Sequence, residues 1–132
     1  QIFTTGYHGD PLNVGSICFQ LLKVALKKCV DAKATWLEDC RCWLFRGSGE
    51  EWEMDAIDMA VPLSPDEFTN KIQGIYQHQS QRSQSPVARD DGDRNSWTLA
   101  RRINQATAKA YDALGLAEYE AIEAFKRWIP KI

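Results

Sequence analysis

Apolar and polar residues follow a strand-like pattern over three short stretches of the chain. This spacing predicts β-strands at about residues 1–5, 40–45 and 56–61. The second stretch, Cys-Arg-Cys-Trp-Leu-Phe, is short, apolar and aromatic, which is typical of a buried strand. Pro62 has no amide hydrogen to donate, so we expect it to end the third strand. Glycine, proline, asparagine and aspartate between residues 6 and 15 predict a turn after the first strand.

Between the first two strands, apolar residues recur at helical spacing. Ser16 is a suitable N-cap, and the predicted helix continues to about Val30. Its apolar stripe consists of Ile17, Leu21, Val24 and Lys28, widened by Phe19, Leu22 and Leu26.

The clearest helix start in the sequence lies at residues 64–67. Ser64 suits the N-cap, Pro65 suits the first helical position, and Glu67 completes a capping box three residues after the serine. Apolar residues then follow at helical spacing, namely Phe68, Ile72, Ile75 and Tyr76. We therefore predict a helix that runs to about His78.

Two further helices are predicted in the last third of the chain. The first covers about residues 97–114 and ends at Gly115, a suitable C-cap. Its apolar face consists of Trp97, Ala100, Ile103, Thr107, Ala110, Tyr111 and Leu114. The second covers about residues 117–128 and ends before Pro130, and its apolar positions are Tyr119, Ile122, Phe125 and Ile129.

Together these elements predict a single α/β domain over residues 1–132, with strands and a helix in residues 1–63 and mainly helices in residues 64–132. A chain of 132 residues is long enough to bury a modest core of its own. The first residue is Gln1 rather than methionine, so we expect a fragment whose upstream partner is missing.

Composition and charge narrow the classes of partner. A net charge of −2 gives no electrostatic argument for nucleic acid or an anionic membrane as a partner. No apolar run approaches the roughly 20 residues that span a bilayer, and no export signal is visible. Cys18, Cys29, Cys40 and Cys42 form no C-x-x-C pair, so we interpret them as reduced thiols of a cytoplasmic protein.

Few residues suggest chemistry by type and position. His8 and Asp10 lie in the first loop and are metal ligands, an acid–base pair or ordinary turn residues. By themselves they are too few for a zinc site, which needs three protein ligands. His78 is either an exposed histidine at a helix end or part of a loop with Ser80 and Gln81 that closes over a polar ligand such as a sugar.

The remaining polar stretches carry no recognisable catalytic motif. Residues 79–95 are polar and form a long connection, which is either mobile or functional. The acidic residues at 90–93 lack the closing glutamate of a calcium-binding EF-hand loop. The sequence contains no G-x-S-x-G elbow, Walker loop or G-x-G-x-x-G fingerprint. From these residues alone, no reaction is identified.

Several segments together resemble one family, the long bacterial glucosamine-6-phosphate deaminases that carry a C-terminal LmbE-like, deacetylase-type domain. These segments are WLFRG at 43–47, EWE at 51–53, IDMAVPLSPD at 57–66, HQSQ at 78–81 and YDALGLAEYEA at 111–121. The resemblance implies a partial Rossmann-like LmbE-type deacetylase fold, of which this chain is the later part. It also implies amino-sugar metabolism and, in the complete family members, a zinc site.

The resemblance further implies that the metal motif is incomplete. The family's first motif, a His-Pro-Asp-Asp stretch, lies upstream of these residues. Its second, a His-x-x-His after Asp10-Pro11, is replaced here by Leu12 and Gly15, neither of which binds metal. We therefore expect no cofactor and no deacetylase activity from this chain alone.

Three hypotheses remain open. The first is a non-catalytic segment of a glucosamine-6-phosphate deaminase/isomerase-type protein, with an amino sugar or sugar phosphate as a ligand. The second is an interaction or oligomerisation module, because a sheet that lacks its upstream strands has an unpaired edge that can pair with another copy or with the missing domain. The third is a hydrolase whose metal site has moved to His8, Asp10 and His78.

Overall fold

The computed structural model describes residues 1–5, 14–46, 51–78 and 96–130. Its strands are β1 (Ile2–Thr5), β2 (Cys42–Phe45), β3 (Met59–Leu63) and β4 (Ala121–Trp128). Its helices are α1 (Val14–Asp31), α2 (Pro65–Tyr76) and α3 (Ser96–Ala113), with short 3-10 turns at Thr35–Asp39 and Met54–Ala56. The predicted α/β class is therefore confirmed, whereas the Rossmann-like, LmbE-type fold stays a prediction.

The four strands form one mixed sheet in the order β1-β2-β4-β3. β1 and β2 are parallel, with Phe3 opposite Trp43, and α1 is the connection that a parallel pair requires. β2 and β4 are antiparallel, with Trp43 opposite Arg127. β4 is therefore an interior strand, although it is the last element of the described chain.

Strand β4 overturns the predicted helix at residues 117–128. Ile122 and Phe125 suit one face of a helix, and alanine, glutamate and lysine favour helix locally. In the structure this segment instead hydrogen-bonds with strands that are distant in sequence, and such pairing overrides local preference. In the part of the chain after residue 64 that the structure describes, two helices are followed by a strand, and the predicted helical C-terminal section is wrong in its last element.

Two smaller predictions about element boundaries are also changed. Helix α1 begins at Val14, so Ser16 lies inside the first turn rather than at the N-cap. Strand β3 continues through Pro62 to Leu63. Because β3 is an edge strand of the four-stranded sheet, a proline there need not break a ladder hydrogen bond. The other helix starts and ends at residues 64 and 115 agree with the prediction.

The start of α2 shows how local sequence sets an element. The backbone N–H of Glu67 donates to the Ser64 hydroxyl at 3.2 Å, and the backbone N–H of Ser64 donates to the Glu67 carboxylate at 2.8 Å. Pro65 occupies the first turn. This is the predicted capping box, and it satisfies donors that the helix itself leaves unpaired.

The chain divides into two compact units. The first consists of Gln1–Gly47, Trp52–Met59 and Phe125–Ile132, and the second consists of Ser48–Glu51 and Ala60–Ala124. In the first unit, α1 packs on β1, and Phe19 of α1 meets Trp128 with ring centroids 4.7 Å apart. Phe19 and Leu26 are buried, together with Cys42 and Leu44 of β2.

This packing corrects the predicted apolar stripe of α1. Phe19 and Leu26, which were expected to widen the stripe, form the buried face. Ile17, Leu21 and Val24, which were expected to define it, are exposed. The sequence contains apolar residues on both sides of this helix, so periodicity alone does not identify the side that faces the core.

The second unit has its own core, in which α2 packs against α3. Phe68 and Ile72 of α2 are buried with Ala121 of β4. Leu63, Trp97 and Ala100 pack around this cluster, and Tyr76 meets Trp97 edge to face at 5.1 Å between ring centroids. Within the described residues, no helix is long and apolar enough to span a membrane.

Candidate functional site

The structure describes only part of the predicted site. His8, Asp10 and Leu12 lie outside the described residues, as do Ser80 and Gln81. The hypothesis of a relocated metal site at His8, Asp10 and His78 therefore stays a prediction. In the described ranges, no group of three or more histidine, cysteine, aspartate or glutamate side chains is placed to hold a metal ion.

His78 and Gly15 are the predicted site positions that the structure does describe. His78 lies two residues after the end of α2 and is exposed, and its backbone N–H donates to the carbonyl of Ile75 at 3.2 Å. An exposed histidine at a helix end is compatible with both predicted interpretations, because residues 79–81 of the predicted ligand loop lie outside the described residues. Gly15 lies in the first turn of α1.

The second unit contains a polar cluster that the sequence analysis missed. The ammonium group of Lys71, on α2, donates to the side-chain carbonyl of Asn104, on α3, at 2.8 Å. The same ammonium group forms an ion pair and hydrogen bond with Glu123 of β4. Three secondary-structure elements therefore place a cation, an amide and a carboxylate at one point, which we call the Lys71 cluster.

Asn104 is the buried member of the Lys71 cluster. Its side-chain amide donates to the backbone carbonyl of Ile122 at 3.2 Å, while its side-chain carbonyl accepts from Lys71. Both ends of the amide are thus satisfied inside the unit, as a buried polar side chain requires. This arrangement fixes the orientation of the amide and holds α3 against β4.

Lys71 and Glu123 are only partly withdrawn from solvent, with 30% and 28% of their side-chain surface exposed. A lysine ammonium has three donor hydrogens, and its two contacts within the described residues use two of them. The pair can therefore offer a donor and an acceptor to a hydroxyl-bearing ligand. The opposite charges compensate one another, so the cluster does not favour a strongly anionic ligand.

Thr107 extends the polar face of α3 by one turn. Its buried hydroxyl donates to the backbone carbonyl of Ile103 at 2.9 Å and lies 3.4 Å from a carboxylate oxygen of Glu51. Asn104 and Thr107 are both buried polar residues of α3. A polar residue such as Asn104 beside the apolar face of the predicted helix was the available sequence signal, but its partners Lys71 and Glu123 belong to distant segments.

The first unit places cations over tryptophan rings. The indole N–H of Trp52 donates to the backbone carbonyl of Leu44 at 3.0 Å, which holds the ring beside β2. The guanidinium of Arg46 and the ammonium of Lys126 lie 5.0 and 5.5 Å from the centroid of that ring. These are distances at which a cation is attracted to the electron-rich ring face.

Another cation–tryptophan pair lies across β2 and β4. Arg127 and Trp43 are direct neighbours in the ladder, and the guanidinium carbon lies 5.4 Å from the indole centroid. The backbone N–H of Arg127 donates to the carboxylate of Asp58 at 2.7 Å. The amide N–H of Asp58 in turn donates to the carbonyl of Phe125 at 3.0 Å, so Asp58 is tied to β4 at two points. These contacts explain Trp43 and Trp52 as packing residues of the first unit.

The cysteines of β2 are also part of this unit. Burial raises the pKa of the Cys42 thiol, and the neighbouring Cys40 thiol raises it further, against smaller lowering effects from Arg127 and the N-terminal amine. A thiol with a raised pKa is a poor nucleophile and a poor metal ligand at neutral pH. Cys42 therefore behaves as a core residue.

The chain is similar, over nearly its whole length, to part of one curated protein. It is 42% identical over 130 residues, or 98% of this chain, to a protein of Bacteroides thetaiotaomicron that is named a glucosamine-6-phosphate deaminase-like protein. The chain spans about a fifth of the length of that relative, since the match covers 20% of it. No protein-family model matches the chain, and no solved structure matches it.

Proposed function

We propose that the chain is a segment of a glucosamine-6-phosphate deaminase-like protein of amino-sugar metabolism. The observation that supports this proposal is the 42% identity over 98% of the chain. The relative's name supplies the substrate class, namely an amino-sugar phosphate. Because the match covers only a fifth of the relative, the deaminase reaction itself is assigned to the longer protein rather than to these 132 residues.

Within that protein, we assign the segment to the deacetylase-like module and propose that it is not catalytic alone. Leu12 and Gly15 occupy the positions at which the resembled family has its two histidines. Neither side chain can ligate zinc or transfer a proton. The role left to the segment is structural, or it is recognition of a polar ligand through residues such as His78.

Substitution within the relative tests the segment assignment. In a chimera, this chain replaces the matched 130 residues of the Bacteroides protein, and the control is the relative with those residues deleted. We expect the relative and the chimera to release ammonia from glucosamine-6-phosphate, and the deleted protein to lose stability or activity. A relative without deaminase activity, or a chimera no better than the deletion, would contradict the assignment.

Titration of the isolated chain tests the non-catalytic role separately. Zinc, glucosamine-6-phosphate and N-acetylglucosamine are titrated in turn while acetate release is followed. We expect no stoichiometric tight binding of zinc and no acetate. Either one would show that a working metal site exists, and loss of that signal in a His8→Ala variant would favour the relocated site.

The second candidate function is an interaction or oligomerisation module. Its supporting observation is the position of β1, which lies at one edge of the sheet and pairs with β2 on its other side. An edge strand presents backbone donors and acceptors to a further strand. Sedimentation at several protein concentrations tests this candidate, and a strict monomer counts against self-association through this edge.

A further inference from the structure

In the first unit, the face of the sheet that is turned away from α1 is aromatic. Cys42 lies opposite Trp128, which packs on α1, so Trp43 as the next residue of β2 points to the other face. Phe3 of β1 is the direct neighbour of Trp43, and Phe45 follows Trp43 by two residues, so both share its face. Phe3 and Phe45 are 50% and 40% exposed, and this face therefore offers apolar surface to solvent.

Strand β4 adds an aromatic and a basic residue to the same face. Arg127 is the direct neighbour of Trp43 in the ladder, and Phe125 lies two residues before it. The ring of Phe125 meets the ring of Phe3 edge to face, with 5.3 Å between the centroids. All of these residues belong to the first unit. We call them the aromatic face, which consists of Phe3, Trp43, Phe45, Phe125 and Arg127.

The guanidinium of Arg127 lies against the indole of Trp43 and has no anionic partner among the described residues. Its carbon is 5.4 Å from the indole centroid. In the described part of the chain it forms no ion pair, and its buried Nε has no hydrogen-bond acceptor. A guanidinium presents five N–H donors in one plane, which suits the oxygens of a phosphate. The contact with Trp43 orients that plane, and the unpaired charge favours an anion beside the exposed rings.

An exposed carboxylate lies next to Arg127 on the other side of β4. Asp58 accepts a hydrogen bond of 2.7 Å from the backbone N–H of Arg127, and its own N–H donates to the carbonyl of Phe125. These two bonds hold Asp58 beside β4, and the residue remains exposed. Although both residues are described, the side chains of Asp58 and Arg127 form no ion pair with each other. Each charge is therefore available to a separate group of one ligand.

We propose that the aromatic face and Asp58 bind an amino-sugar phosphate. The phosphate pairs with the guanidinium of Arg127, the ammonium group of the sugar pairs with Asp58, and the apolar side of the sugar ring packs on Phe125 and Phe3. Each charge of this ligand meets an opposite charge on the protein, and its C–H groups meet aromatic rings. The class of ligand rests on the proposed function, whereas its placement rests on the contacts of these residues.

An NMR titration of the isotope-labelled wild-type chain is the first test. Glucosamine-6-phosphate, glucose-6-phosphate, glucosamine and inorganic phosphate are added separately. We expect a dissociation constant of about 1 mM for glucosamine-6-phosphate, because an open surface buries only part of a small ligand. The other three compounds lack the amine, the phosphate or the ring, and each should bind at least threefold more weakly.

The same titration locates the ligand without any variant. The indole N–H resonance of Trp43 should shift on addition of glucosamine-6-phosphate, whereas that of Trp97, in the second unit, should not. Equal shifts of both resonances, or equal affinity for inorganic phosphate, would overturn the proposal. A shift of Trp43 that follows protein concentration and not ligand concentration would show that a second copy occupies the face, and would overturn it as well.

Conservative variants test the two charged groups. Arg127→Lys keeps the charge but loses the planar donors, so the dissociation constant for glucosamine-6-phosphate should rise at least threefold. Arg101→Lys is the matched control, because Arg101 is an exposed arginine of α3, and its affinity should equal that of the wild type. Equal effects of the two variants would contradict the role of Arg127.

Asp58→Asn tests the ammonium contact while its side-chain carbonyl can still accept from the backbone of Arg127. This variant should bind glucosamine-6-phosphate and glucose-6-phosphate with similar affinity. Asp66→Asn is the control, since Asp66 is an exposed carboxylate of α2, and it should keep the preference for the amino sugar. A preference that survives Asp58→Asn would contradict the proposed orientation of the ligand.

These titrations and the ammonia assay of the chimera can fail independently. An active chimera together with no binding to the isolated chain would overturn this inference and leave the proposed function intact. Binding at Trp43 and Arg127 together with an inactive chimera would support this site and contradict the assignment of the segment to the deaminase-like protein.

Discussion

The buried side chain of Asn104 in α3 donates a hydrogen bond of 3.2 Å to the backbone carbonyl of Ile122 in β4. The same side chain accepts from Lys71, so one amide joins α2, α3 and β4. An interior strand and two helices thus share a single polar contact point. Loss of the Asn104 side chain should therefore weaken the second unit.

Asn104→Ala is expected to destabilise the protein by about 1–3 kcal/mol. The substitution leaves the carbonyl of Ile122 and the ammonium group of Lys71 without their amide partner, and it opens a small cavity. Asn70→Ala is the matched control, because Asn70 is an exposed asparagine in the neighbouring helix α2. Urea unfolding of both variants measures the difference. Equal destabilisation by Asn104→Ala and Asn70→Ala would show that the buried hydrogen bonds of Asn104 do not stabilise the protein.

Substitution by alanine should change the stability of the protein in opposite directions at two glycines. Gly115 follows α3 with φ of +84°, a conformation that costs an alanine about 1 kcal/mol or more. Gly74 lies inside α2, and a Cβ there would meet no atom within 4 Å. Gly74→Ala should stabilise the protein by about 0.5–1 kcal/mol through helix propensity. Thermal unfolding of the two variants tests this, and a shift of the same sign in both would contradict it.

The parts of the fold that the sequence predicted are those that depend on neighbouring residues. The capping box at Ser64 and Glu67, the C-cap glycine at 115 and the run of apolar residues in β2 are local signals. Strand β4 depends on partners far along the chain, including Leu44 opposite Lys126, so its residues could equally suggest a helix. Helix α1 was located correctly, but its buried side depends on where Trp128 lies.

The candidate site could be predicted even less well, because its residues come from segments that are distant in the sequence. Lys71, Asn104 and Glu123 come from three elements and are adjacent only because α2, α3 and β4 meet. No spacing in the sequence relates them. His78 was identified from its sequence neighbours, and the structure describes its place after α2 but not the residues 79–81 that were expected to act with it.

The capping box at Ser64 and Glu67 should make the stability of the protein depend on pH in the acidic range. Hydrogen bonds from the backbone and then the side chain of Ser64 lower the pKa of the Glu67 carboxyl. A lowered folded-state pKa means that this contribution to stability is present above the unfolded-state pKa and is lost as the pH falls through the folded value. Ser64→Ala should cost about 1 kcal/mol at neutral pH and raise the pKa of Glu67 toward its ordinary value.

Measurement of the Glu67 carboxyl by NMR titration, in the wild type and in Ser64→Ala, checks the pKa change. Asp66 provides an internal comparison, since it is an exposed carboxylate in the same helical turn. In Glu67→Gln the side chain cannot titrate, so the stability of this variant should fall less as the pH is lowered than the stability of the wild type. An unchanged pKa of Glu67 in Ser64→Ala would show that the backbone donor of Ser64 alone accounts for the lowering.

The cysteines should differ sharply in their reaction with iodoacetamide. Cys18 is exposed on α1, whereas Cys42 is buried in β2 and its pKa is raised mainly by that burial. Because the thiolate is the reacting species, Cys18 should be alkylated many times faster than Cys42 in the folded protein. Unfolding in urea should bring the two rates together. Because the folded pKa of Cys42 is the higher one, its contribution to stability should be present below the unfolded-state pKa and lost as the pH rises through the folded value. Rapid alkylation of Cys42 in the folded protein, at a rate similar to that of Cys18, would show that β2 opens far more readily than its packing implies.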